Sequence, residues 1–372
     1  MQEAKPIKIL LTGGHAATTA ISVVEELIRR QKSFPSEIYW IGAKAAVEGK
    51  ALAPLEASVF PGLGVSTHTI PAGRLQRRFS LYTIPSLAKI PWGFFKALGL
   101  VERISPDIIL SFGAYAAFPV VLAGWLKGIP VVLHEQTVTA GLANRLSSPF
   151  ASKIALADRG SLRFFPKGKC VLVGNPIMTQ IAEIEPKKTL SIPPTILVIG
   201  GSRGSSTING LVEPILERLL GDYVLIHLTG SLDFEKFKEK RNTLPKALRL
   251  RYEVFSQIDP MQMDGVYKRA DILVGRSGAN TVSEILTIKI PSILIPIPFS
   301  YRDEQTKNAK AAQKVGIAKL ISQDEVTSEM LFEEVKKSVS GWNKIIERAA
   351  AYKSFDKGAS SRLVDLVFTK VR

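Results

Sequence analysis

The sequence predicts an α/β protein built from two doubly wound parallel-sheet domains, and three observations predict it. At 372 residues the chain exceeds the size at which a single hydrophobic core stops growing. Short apolar runs, IKILLTGG, EIYWIGA, DIILSFGA, VVLHEQ and KIALA, alternate with helix-like stretches through the first half, the pattern of parallel strands joined by crossover helices. The second half repeats that alternation with TILVIGG, YVLIHLTG, DILVGRSG and PSILIPIP, and each half opens on a strand that runs into a glycine pair, Gly13-Gly14 and Gly200-Gly201.

In chain order, the N-terminal MQEAKPIKILL enters a strand without a signal-peptide pattern, so the cytosol is expected. The uncharged stretch from Ile108 to Leu126 approaches membrane-spanning length, but it divides into a strand, a Gly113-Ala114-Tyr115 turn and a helix that closes on Gly128-Ile129-Pro130. Cys170, the only cysteine, lies in the strand-like KCVLVG and reads as a small core residue. The Pro- and Lys-bearing segment 174–194 is the expected linker between a domain of residues 1–173 and one of residues 195–339. Residues 340–372 read as helix that packs back across the boundary.

A hydrophobic content of 46% with 22% charged residues excludes a disordered chain. The formal net charge of +16 creates a field suited to nucleic acid, anionic lipid or a phosphorylated substrate. No zinc-finger spacing, RNP-type aromatic stretch or basic low-complexity tail accompanies it, so no nucleic-acid partner is expected.

Ligands of open parallel sheets bind outside the carboxyl ends of the strands, and two such domains face to face would form a cleft there. After the first strand come Thr12-Gly13-Gly14-His15, where the glycines let backbone N–H groups approach a ligand and His15 has the pKa of a general base. His134-Glu135-Gln136 place polar groups at the end of the buried strand VVL, where they more readily line a site than fill a core. Gly200-Gly201-Ser202-Arg203-Gly204 is a phosphate-approach loop that matches neither the P-loop nor the spaced dinucleotide fingerprint. In Arg276-Ser277-Gly278-Ala279-Asn280-Thr281-Val282-Ser283-Glu284, Ser277 is positioned to cap a helix whose free N–H groups would meet a phosphate, with Glu284 placed to accept ribose hydroxyls. No Asp-x-Asp pair follows any strand and no His, Cys and carboxylate cluster has metal spacing, so neither a metal nor a cofactor is expected.

Together these loops resemble the MurG family, the UDP-N-acetylglucosamine transferases of peptidoglycan synthesis. TGGH, PDIILSFGAYAAFP, IPVVLHEQ with AGLANRL, VGNP, GGSRG, RSGANTVSE and DEQTKNA carry the resemblance in order through almost the whole chain. The resemblance implies a GT-B fold, with the undecaprenyl-linked acceptor on the N-terminal domain and UDP-N-acetylglucosamine on the C-terminal one. The implied reaction is inverting: the acceptor's 4-hydroxyl attacks the anomeric carbon, UDP leaves, and lipid I becomes lipid II. Loop amides and helix N-termini would stabilise the departing diphosphate. Donor contacts would fall on Thr12, Gly13, Gly14, Thr137, Gly201, Ser202, Arg276, Ala279, Asn280, Thr281, Val282, Ser283, Glu284 and Gln305. The uracil contact would fall at Ile258, or at Phe255 or Met263 under a shifted alignment. His15 or Glu135 would be the base.

The chain departs from the family where Thr137 replaces Asn and Met178 replaces Arg, both on residues thought to face donor or acceptor. These departures leave open a GT-B lipid glycosyltransferase with another acceptor, or a non-catalytic nucleotide-sugar-binding relative. Between Arg74 and Arg103, the cations Arg74, Arg77, Arg78, Lys89, Lys96 and Arg103 interleave with Trp92, Phe94 and Phe95. A basic stretch flanking aromatic rings would dock peripherally on an anionic membrane surface, here the cytoplasmic face of a bacterial cell membrane.

Overall fold

Strands rich in apolar residues on both faces are stable only where helices cover both sides of the sheet. In the computed structural model, which describes residues 5–14, 17–43, 55–71, 83–201 and 204–371, β1 (Ile7–Gly13), β4 (Ile108–Ser111) and β5 (Val131–Glu135) are of this kind. With β2 (Ser36–Ala43), β3 (Ser66–Ile70), β6 (Lys153–Leu156) and β7 (Cys170–Leu172) they form a parallel sheet in the order β3-β2-β1-β4-β5-β6-β7. A second parallel sheet combines β8 (Thr195–Ile199), β9 (Val224–Leu228), β10 (Tyr252–Phe255), β11 (Ile272–Gly275), β12 (Ser292–Leu294) and β13 (Ala318–Leu320), in the order β10-β9-β8-β11-β12-β13.

The two sheets wind alike. Each starts on a central strand, moves outward in one direction, then returns to the other side of the starting strand. The winding reverses between β1 and β4 and between β8 and β11, and at such a switch point the loops leaving the two strands diverge and open a crevice. Four loops lie at these points: those after Gly13, Ser111, Ile199 and Gly275.

The chain divides into two compact units, residues 1–179 with 355–372, and residues 180–354. The expected return of everything from residue 340 is corrected to a return at Phe355. The helix Trp342–Ala350 stays with the second unit because Trp342 is buried in that unit's core and its indole N–H donates to the Asp271 carbonyl at 3.1 Å. The last helix, Ala359–Phe368, docks on helix Ala17–Arg29 of the first unit. There Phe368 stacks on Phe34 at 4.6 Å, and Arg30 bridges Glu26 at 2.6 Å and Asp365. The uncharged 108–126 stretch is β4 followed by the helix Ala117–Leu126, and among the described residues no helix is long and apolar enough to cross a membrane.

Candidate active site

In the second unit, three glycines shape the exit from β8. A Cβ on Gly200 would lie 2.2 Å from the Ser205 nitrogen, and one on Gly204 would lie 2.1 Å from the Thr229 carbonyl, while Gly201 holds φ at 90°. Gly200 and Gly204 are therefore packed against backbone more tightly than any side chain permits. It ends on Ser205, whose hydroxyl accepts from the Ile208 N–H and caps the helix Ser206–Val212.

The helix Ala279–Ile288, at the end of β11, differs: it starts from Gly278 in an extended conformation and no described side chain caps it. Ser277, expected as its cap, is buried, and its hydroxyl donates instead to the Gln305 carbonyl at 2.8 Å. The Val282 N–H bonds the Gly278 carbonyl at 3.0 Å, and the Val282 and Ser283 side chains are buried. The expected contacts at Val282 and Ser283 are thus corrected, because the positive end of the helix dipole emerges at the turn Gly278 to Thr281, before both.

Arg276, just ahead of that turn, is buried. Its Nη1 donates to the carbonyls of Ile295 at 2.9 Å and Pro296 at 3.2 Å, and its Nε to the Ser205 hydroxyl at 3.2 Å, tying the ends of β11 and β12 to the glycine loop. Desolvation pulls its pKa down, yet a guanidinium stays charged, and among the described residues no carboxylate neutralises it. Gln305 is committed on one side, its Oε1 accepting from the Ile297 N–H at 3.1 Å, which leaves the amide NH2 to meet a hydroxyl. Ile258 follows β10 half-buried, just before Asp259 caps a short turn by accepting from the Met261 N–H at 2.9 Å.

Glu284 lies on the same helix as the uncapped turn and is buried, with Oε2 accepting from the Tyr267 hydroxyl at 2.6 Å. Burial pushes its pKa up to about 7, against the pull of that hydrogen bond. It is therefore a packed carboxyl with one oxygen engaged.

In the first unit, Gly13 and Gly14 occupy the end of β1 because space is short: a Cβ on Gly13 would lie 3.1 Å from that of Phe112, and one on Gly14 3.2 Å from that of Ala114. Thr12 does not present its side chain at this loop as expected, since it is buried with its hydroxyl donating to the Ile41 carbonyl at 2.8 Å. His15, Ser202, Arg77 and Arg78 lie outside the described residues.

The polar run that closes β5 is packed, where it was expected to line a site. His134 is buried against the Gly174 carbonyl at 3.2 Å, and desolvation pulls its pKa down to about 4. Glu135 is buried and its two oxygens accept four hydrogen bonds, from the Thr137 N–H at 2.9 Å, the Thr137 hydroxyl at 2.8 Å, the Gly141 N–H at 2.9 Å and Asn144 Nδ2 at 2.9 Å. A carboxylate filled in this way shapes its loop and has no lone pair left for a proton, which weighs against Glu135 as base. Thr137 is likewise committed to Glu135 and does not point its hydroxyl at a donor. Asn144, inside the AGLANRL motif, was not singled out in the sequence; its Oδ1 and the Thr139 hydroxyl are buried without a hydrogen-bond partner among the described residues.

On the aromatic stretch, the structure separates the three rings. Trp92 and Phe95, on helix Thr83–Ile104, are 68% and 66% exposed, whereas Phe94 is half-buried against the first unit's core, which weighs against it as a docking residue. The adjoining helix Ala117–Leu126 ends on Trp125 and Leu126, 49% and 54% exposed, an exposure hidden from sequence because both end an otherwise buried helix.

Residues 12–156 match the glycosyltransferase family 28 N-terminal domain and residues 195–363 the family 28 C-terminal domain. The chain is 30% identical over 367 residues to the UDP-N-acetylglucosamine–N-acetylmuramyl-(pentapeptide) pyrophosphoryl-undecaprenol N-acetylglucosamine transferase of Clostridium kluyveri, covering 97% of this chain and 98% of the relative. It is 32% identical over 329 residues to the protein of the same name from Pediococcus pentosaceus, covering 86% of each. Among solved structures, MurG of Acinetobacter baumannii superposes with a TM-score of 0.69 at 23% identity, over 98% of this chain and 100% of that one. The UDP-N-acetylglucosamine 2-epimerase of Neisseria meningitidis bound to UDP-N-acetylglucosamine superposes at 0.63 with 12% identity, over 98% and 100%, a likeness of fold.

Proposed function

The chain belongs to glycosyltransferase family 28, in its MurG branch, and we infer that it carries out the branch reaction. It moves N-acetylglucosamine from UDP-N-acetylglucosamine to the 4-hydroxyl of N-acetylmuramyl-pentapeptide on undecaprenyl pyrophosphate, the step of peptidoglycan synthesis that converts lipid I to lipid II. The fold is GT-B.

One observation carries the donor half: a buried guanidinium, Arg276, that no described carboxylate neutralises, beside a helix N-terminus that no described side chain caps, at the β8/β11 switch point. On this reading both features supply positive charge to the leaving diphosphate, and they act more strongly in the transition state than on the substrate. The Gly200–Gly204 loop brings backbone to the same anion, the Gln305 amide NH2 meets a sugar hydroxyl, Glu284 takes the ribose and Ile258 the uracil. As the acceptor hydroxyl attacks, the bond from the anomeric carbon to the diphosphate oxygen breaks and UDP departs with the electron pair. We assign the hydroxyl's proton to His15, because Glu135 has its lone pairs filled. Glu135 then holds the acceptor-side loop from Thr137 to Asn144.

The lipid-linked acceptor explains the apolar face of the first unit. Trp92, Phe95, Trp125 and Leu126 are proposed to enter the headgroup region of an anionic membrane on its cytoplasmic side, with neighbouring cations contributing about 1 kcal/mol each. The test uses radiolabelled UDP-N-acetylglucosamine with lipid I, presented in anionic vesicles or in detergent. The wild-type chain is expected to transfer label in both, and Trp92→Ser with Phe95→Ser to lose vesicle binding and vesicle transfer while keeping transfer in detergent. Absence of transfer by the wild type in detergent overturns the acceptor; equal vesicle transfer by the variant overturns the docking face.

A further inference from the structure

The pairing of Tyr267 with Glu284 has no part in the chemistry so far. Tyr267 sits on the helix Met263–Arg269, which continues directly from the turn after β10, while Glu284 sits on the helix that begins at the uncapped turn after β11. The hydroxyl of the one donates to Oε2 of the other at 2.6 Å, with both side chains buried. This bond joins the element assigned to the base of the nucleotide with the element assigned to its diphosphate, and the ribose lies between those two groups in any nucleoside diphosphate.

We propose that Tyr267 is a positioning residue for the donor's ribose: by holding Glu284 Oε2 it fixes the carboxyl plane and leaves Oε1 as the acceptor for a ribose hydroxyl. The inference rests on the reading that Glu284 takes the ribose. A terminal carboxyl turns easily about its last side-chain bond, so an unheld Glu284 presents its oxygens in many directions and would lose conformational freedom on binding. A phenol is the appropriate holder. Burial and the adjacent carboxyl push the Tyr267 pKa well above its ordinary value, so it stays a donor at every working pH. The apolar ring also fills buried space in which an ammonium or a guanidinium would be costly.

The experiment measures binding of UDP and of 2′,3′-dideoxy-UDP to the full-length chain by calorimetry, with Tyr267→Phe and Glu284→Ala alone and combined. At pH 8.5, above the Glu284 pKa of about 7, wild type is expected to prefer UDP over the dideoxy analogue by about tenfold, as for a hydrogen bond to a charged acceptor. Tyr267→Phe should cut that preference to about twofold, leave dideoxy-UDP binding unchanged, and raise the donor KM at constant kcat. In Glu284→Ala the added Tyr267→Phe should change nothing further. A full preference retained in Tyr267→Phe overturns the inference, as does equal loss of both ligands, which marks a merely structural phenol. A wild type that does not distinguish the two ligands overturns instead the ribose role of Glu284.

Discussion

His227 and His134 are imidazoles kept from water. His227 is buried between the Tyr252 hydroxyl and Asn209 Oδ1, each at 3.0 Å, and desolvation lowers its pKa to about 3; His134 is lowered to about 4 by the same cause. Above the ordinary histidine pKa of about 6.5 both residues are neutral folded or unfolded and stability does not depend on them. Below it the unfolded chain binds protons that the folded chain refuses, so stability falls as pH drops from about 6.5 toward 4, by up to roughly 3 kcal/mol for His134. Glu284 has the opposite sign. Its pKa is raised from 4.5 to about 7, so the stability it contributes is complete below 4.5 and lost as pH rises through 7. Denaturant unfolding should therefore give greatest stability between about pH 6 and 7, with Glu284→Gln gaining stability more steeply than wild type as pH rises from about 4.5 to 7 and running parallel to it at higher pH. A Glu284→Gln profile parallel to that of wild type between about pH 4.5 and 7 would show the carboxyl to be solvated. At this scale the sequence is only partly legible. The polar run His134-Glu135-Gln136 marks a strand end, but His134 is satisfied by Gly174 and Glu135 by Thr137, Gly141 and Asn144, partners that the fold alone brings together.

At the scale of elements, the strand, loop and helix of DILVGRSGANTVSEIL are readable from apolar run, glycine and helical pattern, whereas the cap is not. Ser and Gly are both good caps, and the outcome was decided by Gln305, whose carbonyl takes the Ser277 hydroxyl and leaves Gly278 as the first residue of the turn. The position is open to substitution: a Cβ on Gly278 meets nothing within 4 Å, and its φ of −61° suits any residue. Gly278→Asp would put a carboxylate on the helix N–H groups that the donor diphosphate is proposed to use. The fold should gain about 0.5–1 kcal/mol from the cap and the dipole. The donor KM should rise by at least about tenfold, since the same amides must be released and a negative charge faces the phosphates. Gly278→Ser, a neutral cap, should show a smaller rise in the same direction. An unchanged KM in the Asp variant, with a raised melting temperature, would move the diphosphate away from this helix.

At the scale of the whole molecule, the repeat of winding is legible because each strand announces itself, but the last segment's destination is not. Helical periodicity shows that residues after 340 bury one face and says nothing of which core receives it. Trp342 goes into the second core, whereas Leu363, Val364, Val367 and Phe368 are buried in the first unit. Truncation after Ser354 follows from that division. It removes those four apolar side chains, each worth about 1.5–3 kcal/mol when buried, a sum comparable with the entire stability of a domain. It also takes Asp365 and Ser361 from Arg30 and Asp356 from the Asn175 N–H. The second unit, residues 180–354, is contiguous and loses nothing from its core. In calorimetry the truncated chain should keep one transition that UDP raises, by about 2.7 kcal/mol at a hundredfold excess over Kd, while the first unit's transition is lost or shifted far down. Loss of the UDP-sensitive transition together with the other would mean that the second unit depends on the returning helix for its own stability.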